Sequence, residues 1–123
     1  MRRLFLLAAL TFASPVFGFT AQNGLRIEPA GEGFAVNWHG GRAGPTDFWC
    51  AAGDYAVRGL NLAPATVIYR TSEPPRRSGQ PMHFSLNPAK AASSSGVAVL
   101  GADDAGFTVG AAQSFCEIRI HRR

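Results

Sequence analysis

The residues best suited to chemistry in this chain are Cys50, Cys116 and His83. A thiol becomes a nucleophile when its pKa is lowered and a base stands within reach. Cys50 falls in the first turn of a predicted helix, where the helix dipole favours a thiolate. His83 falls downstream on a predicted strand, so the chain carries the order nucleophile then base that thiol hydrolases use. No third residue is placed to orient His83, and Cys116 offers Cys50 a different fate, as one half of a disulfide.

Which fate applies depends on compartment, and the N-terminal residues speak to that. Met1-Arg2-Arg3 followed by the apolar run Leu4 to Ala13 and the small or breaking residues Ser14-Pro15-Val16-Phe17-Gly18 has the layout of a secretory signal peptide. A spanning helix needs about 20 apolar residues, roughly twice this run. Residues 1–18 are therefore expected to be a leader, with Val16 at −3 and Gly18 at −1 of the cleavage site. Sites after Ala13 or Ala21 are the alternatives. The mature part, 19–123, is expected to be a single domain without a transmembrane segment, in the periplasm or secreted.

In an oxidising compartment, two cysteines in a small domain read as a disulfide, here Cys50–Cys116. Closing a loop of roughly 65 residues stabilises a fold by about 4 kcal/mol on the chain-entropy estimate. That is a large fraction of a total of about 5–15 kcal/mol.

Other chemistries have less support. There is no C-x-x-C for redox work, and His39, His83 and His121 lack zinc-ligand spacing, so neither a metal nor a cofactor is expected. His39-Gly40-Gly41-Arg42-Ala43-Gly44 lacks the P-loop lysine and reads as a loop. Asp103-Asp104 are neighbours in a turn and read as solvated. The chain has 12 Lys plus Arg and 8 Asp plus Glu; Arg2 and Arg3 leave with the leader, so the mature charge is 10 minus 8, or +2. The basic residues form isolated pairs, Arg76-Arg77 and Arg122-Arg123, rather than the concentrated footprint a nucleic-acid surface needs.

The elements that must position these residues follow from periodicity. Leu25–Glu28 and Phe34–Trp38 alternate apolar and polar around Pro29–Gly33, which predicts a hairpin with a five-residue loop. Val97–Leu100 and Phe107–Val109 repeat the shape around 101–106. Between them, Thr46 is a candidate N-cap for a helix over 47–58. Its apolar face carries Phe48, Trp49, Ala52, Tyr55 and Ala56, while Asp47, Asp54 and Arg58 share the opposite, solvated face. Gly59 is placed to end it. Residues 66–70 and 82–86 read as strands. Their proline-rich connection, 72–81, reads as an exposed basic loop, and 87–90 as a short helical turn. Residues 110–116 are expected to make a last helical turn and Glu117–His121 a terminal strand. The sum is an α+β fold: a small antiparallel sheet of hairpins, one main helix packed on it, and one disulfide as a staple.

Phe48-Trp49-Cys50-Ala51-Ala52-Gly53-Asp54-Tyr55-Ala56, then Ile68-Tyr69-Arg70, then Arg76-Arg77-Ser78-Gly79 resembles the pattern of small exported proteins of unknown function from alphaproteobacteria. The resemblance implies an envelope or secreted location and no activity.

The function expected from these readings is non-enzymatic binding, with an envelope protein or an acidic ligand as partner. The candidate surface is Pro74-Pro75-Arg76-Arg77, where proline limits the entropy lost on binding and arginine suits carboxylates. The alternative is the thiol hydrolase, with Cys50 as nucleophile and His83 as base.

Overall fold

A computed structural model describes residues 18–38, 41–97 and 104–120, the side chains of 118–120 excepted. Six antiparallel strands form one sheet in the order β1-β2-β3-β5-β4-β6. They are β1 (Phe19–Thr20), β2 (Arg26–Ala30), β3 (Gly33–Asn37), β4 (Val67–Arg70), β5 (Met82–Ser85) and β6 (Gly106–Thr108). Helix α1 (Pro45–Asp54) packs on the sheet and runs into a single π turn, Tyr55–Gly59; α2 (Val109–Ile120) lies against α1. This is the expected α+β class, an antiparallel sheet with a main helix packed on it, stapled by a Cys50–Cys116 disulfide.

The first hairpin forms where alternation put it, but tighter. Pro29 pairs with Phe34 and Ala30 with Gly33, leaving a two-residue turn with Gly31 at φ 58° rather than a five-residue loop. The expected second hairpin lies partly outside the described residues, at 98–103. Its downstream strand, β6, pairs with β4.

Side-chain alternation along the strands sends Ile27, Phe34, Val36, Ile68, Met82 and Phe84 to the helix side, where all are buried. Trp49 is fully buried against them and continues a chain of ring contacts. Phe19, Tyr55, Phe34, Phe84, Trp49, Phe107 and Phe115 follow one another at centroid separations of 5.2, 4.8, 5.5, 4.9, 4.8 and 5.3 Å. Most of these pairs are edge-to-face, the arrangement the ring quadrupoles favour.

Helix α1 starts earlier than Thr46. Gly44 is the N-cap and Pro45, pre-set for helical φ, the first residue; the Asp47 carboxylate accepts the Gly44 N–H at 2.9 Å. At the other end Gly59 sits inside the π turn, and Asn61, at φ 56°, is where the chain turns left-handed.

The expected terminal strand over 117–121 is corrected to helix, its last residue lying outside the described residues. The alternation of Ile118 and Ile120 loses to the helical spacing of Val109, Ala112 and Cys116: the first two are buried and the third is bonded to α1. Thr108 caps this helix, its Oγ1 accepting the Ala111 N–H at 3.1 Å.

Gly53 is what lets the helices approach. A Cβ there would lie 2.7 Å from the Gln113 backbone nitrogen and 2.9 Å from the Ala112 Cβ. Gly53→Ala should therefore destabilise by about 1–3 kcal/mol in urea unfolding, overpacking outweighing alanine's better helix propensity. A stabilised variant would show that the helices are not in close contact.

Asp54 departs from the helix wheel. Instead of facing water it is 1% exposed, because the turn after β1 closes over it. Its carboxylate accepts the Gln22 N–H at 2.8 Å and Arg58 Nε at 2.7 Å. Burial works to raise the Asp54 pKa, but the Arg58 and Gln22 hydrogen bonds and the Arg58 charge together hold it below its ordinary value. A depressed carboxyl contributes stability that is present above its unfolded value of about 3.9 and lost as pH falls through the lower folded value. Asp54→Asn should cost about 1–3 kcal/mol at pH 6 and flatten the loss of stability below about pH 4. Urea midpoints at pH 6 and pH 3 check both. Arg58 is also more than a solvated residue, since its guanidinium lies 4.8 Å over the Phe19 ring.

Candidate functional site

The alternation that turns Ile68 inward also turns Arg70 inward, two residues on in β4. The guanidinium is thereby carried to the core side of the sheet, 1% exposed, with Arg70 opposite Phe84 in the ladder. Nε donates to the Ser72 carbonyl at 2.7 Å and Nη1 to the Ser95 carbonyl at 3.1 Å. Nη2 is buried and, among the described residues, has no hydrogen-bond partner.

Among the described residues no carboxylate pairs with this group. Glu73 supplies negative charge that acts on it, and its two oxygens accept the Ser93 N–H at 2.7 and 3.0 Å. Burial lowers the Arg70 pKa, Glu73 opposes that and the positive charge of Arg76 adds to it. Arginine nonetheless stays protonated. Among the described residues this buried cation has no paired anion, an arrangement that costs several kcal/mol when left uncompensated.

Arg70 lines a cleft of about 170 Å³ together with Ala43, Pro45, Pro74, Pro75, Arg76, Met82 and Gly96. One wall is the loop singled out in the sequence, but it is not simply an exposed basic segment. A cis Pro74–Pro75 bond bends the chain, and the Arg76 guanidinium lies 4.4 Å over the Phe48 ring. Arg76 Nη1 donates to the carbonyls of Arg77 and Gln80 at 3.1 and 2.7 Å, which fixes the side chain in place. Pro74, Pro75 and Arg76 line the cleft; Arg77 is exposed and does not. Gly96, which also lines the cleft, follows Ser95, whose carbonyl accepts both Arg70 Nη1 and Trp49 Nε1 at 3.1 Å.

No family model, curated protein or solved structure matches the chain. The chemistry of the cleft must therefore be read from its own atoms. It offers two arginines, one buried and one stacked, in a frame of prolines and small apolar groups.

The structure does not bring Cys50 and His83 together. Cys50 is buried on α1 with its sulfur bonded to Cys116, 66 residues away. His83 alternates with the inward Met82 and Phe84 and so faces the other side of the sheet. There it lines an open groove of about 340 Å³ with Glu32, Thr71, Ser85 and Lys90. Lys90 Nζ lies 3.6 Å from Glu32 Oε2, and Ser85 Oγ accepts the Asn87 N–H at 3.0 Å. Among the described residues no group of three His, Cys, Asp or Glu is placed to hold a metal, and no helix is long and apolar enough to cross a membrane. His39, Asp103 and His121 lie outside the described residues.

Arg70 was the residue sequence reasoning passed over. Its signal was present: an arginine in phase with Ile68 on a β-branched strand has to enter the core or break the alternation.

Proposed function

We propose that the protein is an exported, non-enzymatic binding domain that captures an acidic group in the cleft between Arg70 and the Pro74–Arg76 loop. The observation that carries this reading is the buried Arg70 guanidinium, which among the described residues has an unpartnered Nη2 and no carboxylate against it. An anion entering the cleft would supply the missing charge and acceptor in a desolvated place, where a charge-assisted hydrogen bond is strongest. The fixed Arg76 and the proline-lined wall reduce the ordering that binding would otherwise require. The leader-like residues 1–18, the disulfide and the resemblance to small exported proteins support the extracytoplasmic setting.

Thermal unfolding in acetate, phosphate or sulfate against chloride at matched ionic strength tests the binding reading. A ligand that binds only the folded state stabilises it by about 1.4 kcal/mol at ten times its Kd. At least one anion should raise the midpoint, and the rise should shrink in Arg76→Gln. Equal midpoints in all four salts, or a rise unchanged by the substitution, would overturn the reading. The mass of protein from the exported fraction should correspond to a chain beginning at Phe19; full-length protein in the cytoplasm would overturn the export.

A further inference from the structure

Resting on the cleft being a binding site, we infer that its occupant is a single carboxylate carried on a small apolar body. Donor supply sets the headgroup. Arg70 has spent Nε and one Nη1 hydrogen on the Ser72 and Ser95 carbonyls, which leaves one N–H on Nη1 and two on Nη2, the latter with no acceptor among the described residues. Arg76 Nη1 is committed to the Arg77 and Gln80 carbonyls, which leaves its Nε and Nη2 N–H groups and its charge for a ligand. A phosphate would need donors for three oxygens, and proteins supply them largely from backbone N–H groups. Here Pro45, Pro74 and Pro75 have no N–H to give, and the Gly44 N–H at the start of α1 is taken by Asp47. The donors left are guanidinium forks, whose geometry matches the planar oxygen pair of a carboxylate.

Charge agrees with a carboxylate. The groups acting on Arg70 are Arg76, of the same sign, and Glu73, of opposite sign, which leaves about one positive charge for a ligand to neutralise. Size and lining set the rest of the molecule. A cavity of about 170 Å³ is well below the roughly 300–1,000 Å³ of sites for drug-sized ligands. Nucleotides are therefore too large to be enclosed. Ala43, Pro45, Pro74, Pro75 and Met82 offer apolar contact to an alkyl group the size of one small side chain. Two sources present this chemistry: a short branched carboxylic acid, and the C-terminal carboxylate of a peptide ending in a small apolar residue.

Trp49 gives a local reporter, because its indole N–H shares the Ser95 carbonyl with Arg70. The experiment is an NMR titration of the oxidised protein, following the Trp49 indole and the Arg70 Nε–H. The probes are sodium isobutyrate, N-acetyl-L-alanine, isobutyramide and inorganic phosphate at constant ionic strength. Isobutyrate or N-acetyl-L-alanine should give saturable shifts, with isobutyramide and phosphate at least tenfold weaker. The tighter of the two carboxylates names the source, free acid or peptide terminus. Arg70→Met should abolish the shifts. Because that variant removes a buried hydrogen-bonded group and could fail to fold, Ala43→Leu, which fills the cleft from its wall, provides the second arm and should weaken binding at least tenfold. Phosphate binding tighter than either carboxylate would overturn this inference while leaving an acidic-ligand site standing. Saturable carboxylate shifts unchanged by Ala43→Leu would place the site elsewhere and overturn it. No saturable shift with any anion would overturn both this inference and the binding reading.

Discussion

Replacing Cys50 and Cys116 together by alanine should lower the stability of the oxidised protein by about 4 kcal/mol, the chain-entropy value for a loop of this length. The bond closes 66 residues of chain, more than half of the residues in 19–123, so its loss returns a large conformational freedom to the unfolded state. The expected value is an upper one, since residual structure in the denatured chain reduces the gain from cross-linking. The effect should also be local. Helix α2 is held to α1 by this bond, by the approach of Ala112 to Gly53, and by Phe115 against Phe107 at 5.3 Å. Without the bond, amides of α2 should exchange faster than those of β3 and β5. Urea unfolding of the double variant and hydrogen exchange check the two parts. A loss below about 1 kcal/mol would mean that packing alone holds α2, contrary to the entropic account. Thiol labelling of the unreduced native protein should find no reactive cysteine; two labelled thiols would return the Cys50 nucleophile to consideration.

The parts of the fold that could be read from the sequence are those where one local rule acts alone. Alternation found β3 and β5, and a β-branched and aromatic run found β4, because nothing competes with those patterns there. The apolar stripe of α1 placed Trp49 and Phe48 inside for the same reason. Failures occurred where a second element supplied the deciding contact. Asp54 obeys the wheel of an isolated helix only until the turn carrying Gln22 covers that face. The segment 117–120 alternates like a strand, yet its preceding residues Thr108 and Ala112 and the bond at Cys116 commit it to a helix packed on α1. Neither contact can be inferred from local periodicity. The candidate site divides in the same way. Composition pointed to Pro74–Arg77 as a binding surface, of which Pro74–Arg76 line the cleft, while the buried cation that gives the cleft its chemistry comes from a strand in which alternation, carried two residues on from Ile68, places it inside.

Trp49→Ala should cost about 3–5 kcal/mol, as expected for truncating a fully buried aromatic. The side chain is 0% exposed and meets Phe84 and Phe107 edge-to-face at 4.9 and 4.8 Å. Removing it opens a cavity between α1, β5 and β6 that rigid neighbours refill only in part. A second loss comes from the hydrogen bond, because the indole N–H donates to the Ser95 carbonyl at 3.1 Å. Trp49→Phe separates the two contributions: it restores most of the ring contact but not the donor, and should recover more than half of the lost stability. The substitution also connects core to cleft. With the indole gone, the Ser95 carbonyl retains only Arg70 Nη1, so the residue before the cleft-lining Gly96 loses one of these two hydrogen bonds. Trp49→Phe should therefore weaken carboxylate binding more than its modest loss of stability would suggest, while Gly53→Ala, which strains the α1–α2 contact, should leave binding unchanged in whatever fraction remains folded. Equal binding by the wild type and Trp49→Phe would mean that Arg70 alone positions the Ser95 carbonyl.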